Sequence, residues 1–245
     1  MESFPHIRLM GVTGVLVRFS DRLSEPANRA ALAFRAAAEA EAWPGVAETS
    51  TALASAFLRI DVQVADPRDV AERAAALVRA RDWLSEPLPT GRKLWRIPCA
   101  WGGQLAPDLA DAAAHAGLDE TAAIEMLSAA RVRVLTLGFA PGQPYLGELD
   151  AIWDLSRRTE LAPRVPAGAL LLAIRQLVLF TAPGPTGWRH VGQSAFKTFR
   201  PDDPAQAAPL RPGDELCFPA VREDDMAALL QSGDPDGGAT AEPMP

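Results

Sequence analysis

Fourteen residues near the middle of the chain, Leu137 to Asp150 (LGFAPGQPYLGELD), leave the backbone few choices. Proline fixes φ and glycine admits positive φ, so three glycines and two prolines in this span specify an unusual path rather than a flexible tether. The span follows the β-branched run Arg131 to Thr136 (RVRVLT), which reads as a buried strand, so the span reads as the loop leaving it. It carries the chain's single tyrosine, Tyr145, and two carboxylates, Glu148 and Asp150. Two readings stand at this point: a ligand or partner surface, or a strand-to-helix turn on which Tyr145 packs against its own domain.

Around this centre the chain divides in two. Arg8 to Phe19 reads as one strand, and Ser24 is placed to cap a helix running to about Ala42. Strands follow at Val46 to Thr49 and Ala56 to Val64; in the latter, alternation puts Leu58, Ile60, Val62 and Val64 on the buried face. A second helix spans about Arg68 to Leu84. This order predicts a small α/β sandwich over residues 1–88. The Pro- and Gly-bearing stretch Ser85 to Gly91 marks the boundary.

Beyond it, short strands and frequent turns predict an antiparallel barrel or sandwich over 89–231. It includes two short helices, Pro107 to His115 and Asp119 to Ser128, and a turn at Arg211 to Asp214. His115, late in the first of these, reads as a surface cap. Residues 232–245, rich in Gly, Pro, Asp and Ala, read as a disordered tail. The fold class is α+β.

At 245 residues either half can bury a core. A net charge of -7 without a basic patch argues against a nucleic-acid partner. Cys99 and Cys217 have no Cys or His at ligand spacing, so neither a metal site nor a disulfide framework is expected. No run approaches the length of a membrane span and the start lacks the pattern of a signal peptide, which points to the cytoplasm and no membrane association.

The chemically suggestive residues cluster after the linker. Arg164, between Pro163 and Val165-Pro166, is either a fixed cation for a carboxylate or carbamoyl oxygen, or an ion-pair partner of Glu148, Asp150 or Asp154. Glu148 and Asp150 are candidates for a general base or for orienting an amide, although a carboxylate in a loop is more often a turn residue or a salt-bridge partner. His190, beside Trp188, is the histidine to watch, although such a residue is more often packed than catalytic. No Ser-His-Asp or Cys-His arrangement can be assembled from spacing, and no phosphate loop of the G-x-x-x-x-G-K-[ST] type occurs.

The ordered blocks Leu137 to Asp150, Pro163 to Gly168 (PRVPAG), Gly187-Trp188 and Leu210 to Asp214 (LRPGD) resemble the family of the 5-oxoprolinase B-type subunit and allophanate hydrolase subunit 1. That family includes a sporulation-kinase inhibitor and half of the carboxyltransferase region of urea carboxylase. The resemblance runs from about Arg8 to about Pro219. It implies a cyclophilin-like barrel in the second half. It also implies a C-type partner subunit, with an A-type third subunit, opening 5-oxoproline to glutamate at the expense of ATP, which enters through the complex. Two other functions remain open: a carboxyltransferase half of a biotin-dependent urea or amide carboxylase, and a histidine-kinase-binding regulator without catalysis.

The candidate site is Glu148, Asp150 and Arg164 for catalysis, with Gly142, Gln143, Tyr145, Pro166, Gly168, Gln176, Trp188 and His190 for substrate binding. Relatives usually carry Gly-Asp where this chain has Gly11-Val12, a histidine at Leu127, an aromatic residue at Gln143, a serine at Ala169, and Thr-Gly at Leu177-Val178. These changes alter hydrogen bonding and pocket volume together.

Overall fold

The computed structural model describes residues 4–244. The chain forms two compact units, one ending at Thr90 and the other beginning at Gly91.

In the first unit β1 (His6–Met10), β2 (Gly14–Arg18), β3 (Val46–Ala52) and β4 (Ser55–Ile60) make an antiparallel sheet in the order β1-β2-β4-β3. Helices α1 (Glu25–Ala40) and α2 (Pro67–Arg79) pack on it. The caps are local: Ser24 accepts from the Ala27 amide at 3.4 Å and Asp66 from the Arg68 amide at 2.8 Å, each satisfying a donor that the helix leaves unpaired. Ala27, Ala30, Ala31, Phe34 and Ala38 make the buried stripe of α1, against Val15, Val17, Leu58 and Ile60 of the sheet.

Three expectations are corrected here. The run Arg8 to Phe19 is a hairpin, because Gly11 takes φ +59° and turns the chain between β1 and β2. The strand expected to reach Val64 ends at Ile60, leaving Val62 and Val64 exposed. The second helix stops at Arg79, and Trp83 instead enters a 3-10 turn and packs edge-on against Phe34, ring centroids 5.2 Å apart.

The second unit is a curled half-barrel. Its strands are β5 (Lys93–Arg96), β6 (Ala100–Trp101), β7 (Val132–Leu137), β8 (Pro144–Gly147), β9 (Ala162–Val165), β10 (Ala169–Ala173), β11 (Gln176–Leu179), β12 (Gly184–Thr186), β13 (Arg189–Gln193), β14 (Glu215–Cys217) and β15 (Thr240–Pro243). Nine of them form one sheet in the order β15-β5-β14-β7-β8-β11-β10-β13-β6, while β9 and β12 form a separate ribbon. Helices α3 (Leu109–His115), α4 (Glu120–Ala129) and α5 (Glu223–Ser232) complete it. Asp119 caps α4 through the Ala122 amide at 2.8 Å.

The sheet is buried on both faces at its centre. Leu170, Leu172, Leu177, Leu179 and Val191 point into the main core with Trp153 and Phe218. Ala169, Leu171, Ala173, Val178 and Phe180 point the other way and pack with Trp188. Strands covered on both faces read as continuous apolar runs, which is why β10 and β11 show no alternation in sequence.

Two expectations fail in this unit. The span Leu137 to Asp150 is not a free loop after the strand: Pro144 to Gly147 pairs antiparallel with β7 from Leu137↔Pro144 to Arg133↔Gly147, and only 138–143 form the turn. The tail expected to be disordered is ordered. Asp234 to Gly238 is folded around the Asp234 carboxylate, Asp236 pairs with the buried Arg200, and β15 adds to the edge of β5. Its composition lacks the apolar residues that announce order, but an unpaired sheet edge supplies backbone partners that composition does not reveal.

Candidate functional site

The second face of the sheet carries the site. Alternation along β11 puts Gln176, Val178 and Phe180 on it, and the register pairs Val178 with Tyr145 on β8 and Leu171 with His190 on β13. Polar and aromatic side chains far apart in sequence, from Tyr145 to Gln193, thereby share one surface.

Over part of that surface lies a cup of about 310 Å³. Val178, Phe180 and Tyr145 line it, and Trp188 stands edge-on to Tyr145, ring centroids 6.3 Å apart at 76°. The turn 138–143 supplies Gln143 and Phe139, β12 supplies Thr186, and the segment before β9 supplies Arg157, Arg158 and Leu161.

The turn is held by Gly142, which takes φ +69° and lies so close to Thr198 that a Cβ would sit 2.3 Å from its carbonyl oxygen. Bonds from the Gly138 amide to the Gln143 carbonyl, 3.0 Å, and from the Gln143 amide to the Ala140 carbonyl, 3.1 Å, close it. Phe139 is left 91% exposed at the tip, also at positive φ. Gln143 is only 2% exposed, yet its side-chain amide makes no hydrogen bond among the described residues.

Behind the cup a charged network ties the wall to α3. Arg158 pairs with Asp108 at 2.9 Å and Asp111 at 3.6 Å. Arg189 donates to Asp111 at 2.6 Å and to the Ser156 carbonyl at 2.8 Å. The Arg189 hydrogen bond is the main reason that the Asp111 carboxyl is held below the ordinary carboxylate range. Asp108 also accepts from the His190 amide at 2.8 Å. Burial pushes the His190 imidazole below the ordinary histidine range, outweighing the opposing attraction of Asp108 and the contacts with Gly192 and Gln193. Burial thus favours the neutral form of the ring, which packs on this face.

Of the residues expected from sequence, the cup brings together Gln143, Tyr145 and Trp188. Gln176 and His190 lie on the same sheet face but do not line it. Gly142 and Gly168 act through backbone: a Cβ on Gly168, φ +76°, would lie 2.1 Å from the Ser194 carbonyl oxygen. Pro166 is exposed before that turn. Glu148 and Asp150 are exposed, and Asp150 caps a 3-10 turn by accepting from the Ile152 amide at 3.2 Å. Arg164 is exposed on β9, and among the described residues it pairs with none of Glu148, Asp150 or Asp154.

Sequence reading missed Arg157 and Leu161. They occupy a stretch without periodicity, and only the doubled Arg157-Arg158 hinted at them. Among the described residues no group of three or more His, Cys, Asp or Glu could hold a metal ion. No helix among them is long and apolar enough to cross a membrane.

Residues 5–210 match the family described as carboxyltransferase domain, subdomain C and D. The chain belongs to this family. It is similar to the B-type subunit of 5-oxoprolinase from Bacillus subtilis, 28% identical over 92% of this chain and 96% of the relative. It is also similar to the B-type subunit of 5-oxoprolinase from Escherichia coli O157:H7, 38% identical over 60% of this chain and 68% of the relative. Among solved structures, TTHA0988 superposes with a TM-score of 0.71 at 29% identity, over 86% of this chain but only 40% of the longer protein. Urea carboxylase of Kluyveromyces lactis shares the fold alone, with a TM-score of 0.73 at 19% identity over 97% of this chain and 24% of the enzyme.

Proposed function

We propose that the chain is the B-type subunit of a heteromeric ATP-dependent amidohydrolase of the cytoplasm. With a C-type partner and an A-type third subunit, the complex opens 5-oxoproline to glutamate. The observation that carries this reading is the cup itself, in a chain whose relatives are B-type subunits of 5-oxoprolinase. A pocket lined by the side chain of Gln143 and by two aromatic walls suits a small organic ligand, and a surface serving only as a regulator's docking face has no need of one.

A volume of about 310 Å³ lies at the bottom of the range for ligand pockets, large enough for a five-membered lactam and too small for a nucleoside triphosphate. In this reading ATP is bound by another part of the complex. Gln143, Tyr145 and Trp188 bind the lactam in this reading. No catalytic step is assigned to Glu148, Asp150 or Arg164, which stand outside the cup.

The test is co-expression with the C-type subunit, size-exclusion chromatography, and a glutamate-release assay with 5-oxoproline, ATP and the A-type subunit. A stable complex that releases glutamate only with ATP supports the proposal. A stable complex without turnover on 5-oxoproline, but active on urea with a biotin carboxylase, would replace it with the carboxyltransferase reading.

A further inference from the structure

We infer that the cup selects a small ligand bearing one carboxylate and one amide, with Arg157 taking the carboxylate and the side-chain amide of Gln143 pairing with the ligand amide. The inference rests on the reading of the cup as the substrate site, and it assigns carboxylate recognition to a residue other than Arg164.

Three arginines lie at or behind the cup, and two are already engaged. Arg158 is held by Asp108 and Asp111, and Arg189 by Asp111 and the Ser156 carbonyl. Among the described residues Arg157 has no carboxylate partner. Its guanidinium carbon lies 5.2 Å from the centroid of the Trp188 ring. Contact with an indole holds the cation through the ring's electron-rich face and leaves N–H donors free for an anion. No Asp or Glu lines the cup, so nothing there competes for Arg157.

Gln143 provides the second contact. A planar amide presents one acceptor oxygen and a donor nitrogen on the same edge, which complements the C=O and N–H of a lactam or secondary amide. It lines the cup and makes no side-chain hydrogen bond among the described residues, so its donor and acceptor are open to a ligand. Val178, Phe180, Leu161 and Tyr145 surround the space between these groups and suit the apolar body of a ring. The same composition disfavours the ring-opened product. Opening a carboxylated lactam creates an ammonium and a second carboxylate, and the cup has no acidic side chain for the first.

The test is equilibrium binding to the full chain by calorimetry. Four probes are used: 5-oxoproline, 2-pyrrolidinone (the lactam without carboxylate), cyclopentanecarboxylate (the carboxylate without amide) and glutamate. The expected order places 5-oxoproline about tenfold or more above each other probe, the worth of one charged or buried hydrogen bond. Arg157→Ala weakens 5-oxoproline by about tenfold and leaves 2-pyrrolidinone unchanged. Gln143→Leu weakens both lactams and leaves cyclopentanecarboxylate unchanged. Equal affinity of Arg157→Ala and wild type for 5-oxoproline overturns the inference, as does absence of binding by every carboxylated probe. If the complex turns over 5-oxoproline with ATP while Arg157→Ala leaves KM unchanged, the inference fails and the subunit assignment stands. If the probes bind in the expected order but the complex opens no lactam, the inference stands and the proposed activity fails.

Discussion

Adding one methyl group at Gly142 should damage the second unit far more than the same change at Gly138, in the same turn. Gly142 sits at φ +69°, where alanine costs about 1–2 kcal/mol. Its Cβ would lie 2.3 Å from the Thr198 carbonyl oxygen and 3.0 Å from the carbonyl carbon. The neighbour is backbone, and the Thr198 hydroxyl is bonded to that of Thr181 at 2.7 Å, so the segment cannot step aside cheaply. Overpacking of this kind adds about 1–3 kcal/mol, for a total of about 2–5 kcal/mol. At Gly138, outside the left-handed region, an added Cβ meets nothing within 4 Å, and Gly138→Ala should stay within about 0.5 kcal/mol of wild type. Urea unfolding followed by tryptophan fluorescence reads the difference, because Trp95, Trp101, Trp153 and Trp188 all lie in the second unit. Gly142→Ala should also weaken ligand binding by displacing Gln143. Equal unfolding midpoints for the two variants would refute the close approach of the turn to Thr198.

Three further outcomes are expected. Because burial depresses the His190 pKa below its ordinary value of 6.5, the unfolded chain takes up the proton first, so stability should be lost as pH falls below about 6.5. Urea midpoints at pH 7 and pH 5 should show this loss, and His190→Gln should reduce it. Ile174 and Arg175 turn the β10–β11 hairpin at φ 45° and 61°, a geometry that asparagine tolerates and a β-branched residue does not. Ile174→Asn should therefore raise stability by about 1 kcal/mol in urea unfolding, and a decrease would contradict the strain. Removing residues 233–245 should cost about 2–3 kcal/mol by stripping β15 from β5 and leaving the buried Arg200 without Asp236, whereas a disordered tail would be lost without effect.

The helix starts were legible because capping is a matter of a few consecutive residues: Ser24, Asp66 and Asp119 each bond an amide two or three positions on. The central apolar strands were legible as runs, though not their two faces. The strands that escaped, β6, β8, β9, β12 and β15, are two to four residues long, too short for any period to register. At the site, Gln143, Tyr145 and Trp188 stood out by residue type and by the blocks around them. Arg157 did not, because its role depends on Trp188 lying beneath it and on Arg158 being engaged elsewhere. Arg164, more conspicuous between its prolines, is exposed and does not line the cup.

By itself, then, the amino-acid order determined the α+β class, the capped helices, the forced turns at Gly142 and Gly213, and membership in the family. All of these depend on neighbouring residues or on ordered blocks. Tertiary structure alone decided which side chains meet. Strand register carries Tyr145, Val178 and Trp188 onto one face, and a shift of one residue would turn each strand's set to the other side. It also decided which charges meet: with 31 acidic residues to choose from, the chain leaves the cup without one, and only folding shows that Arg157 has no carboxylate partner among the described residues.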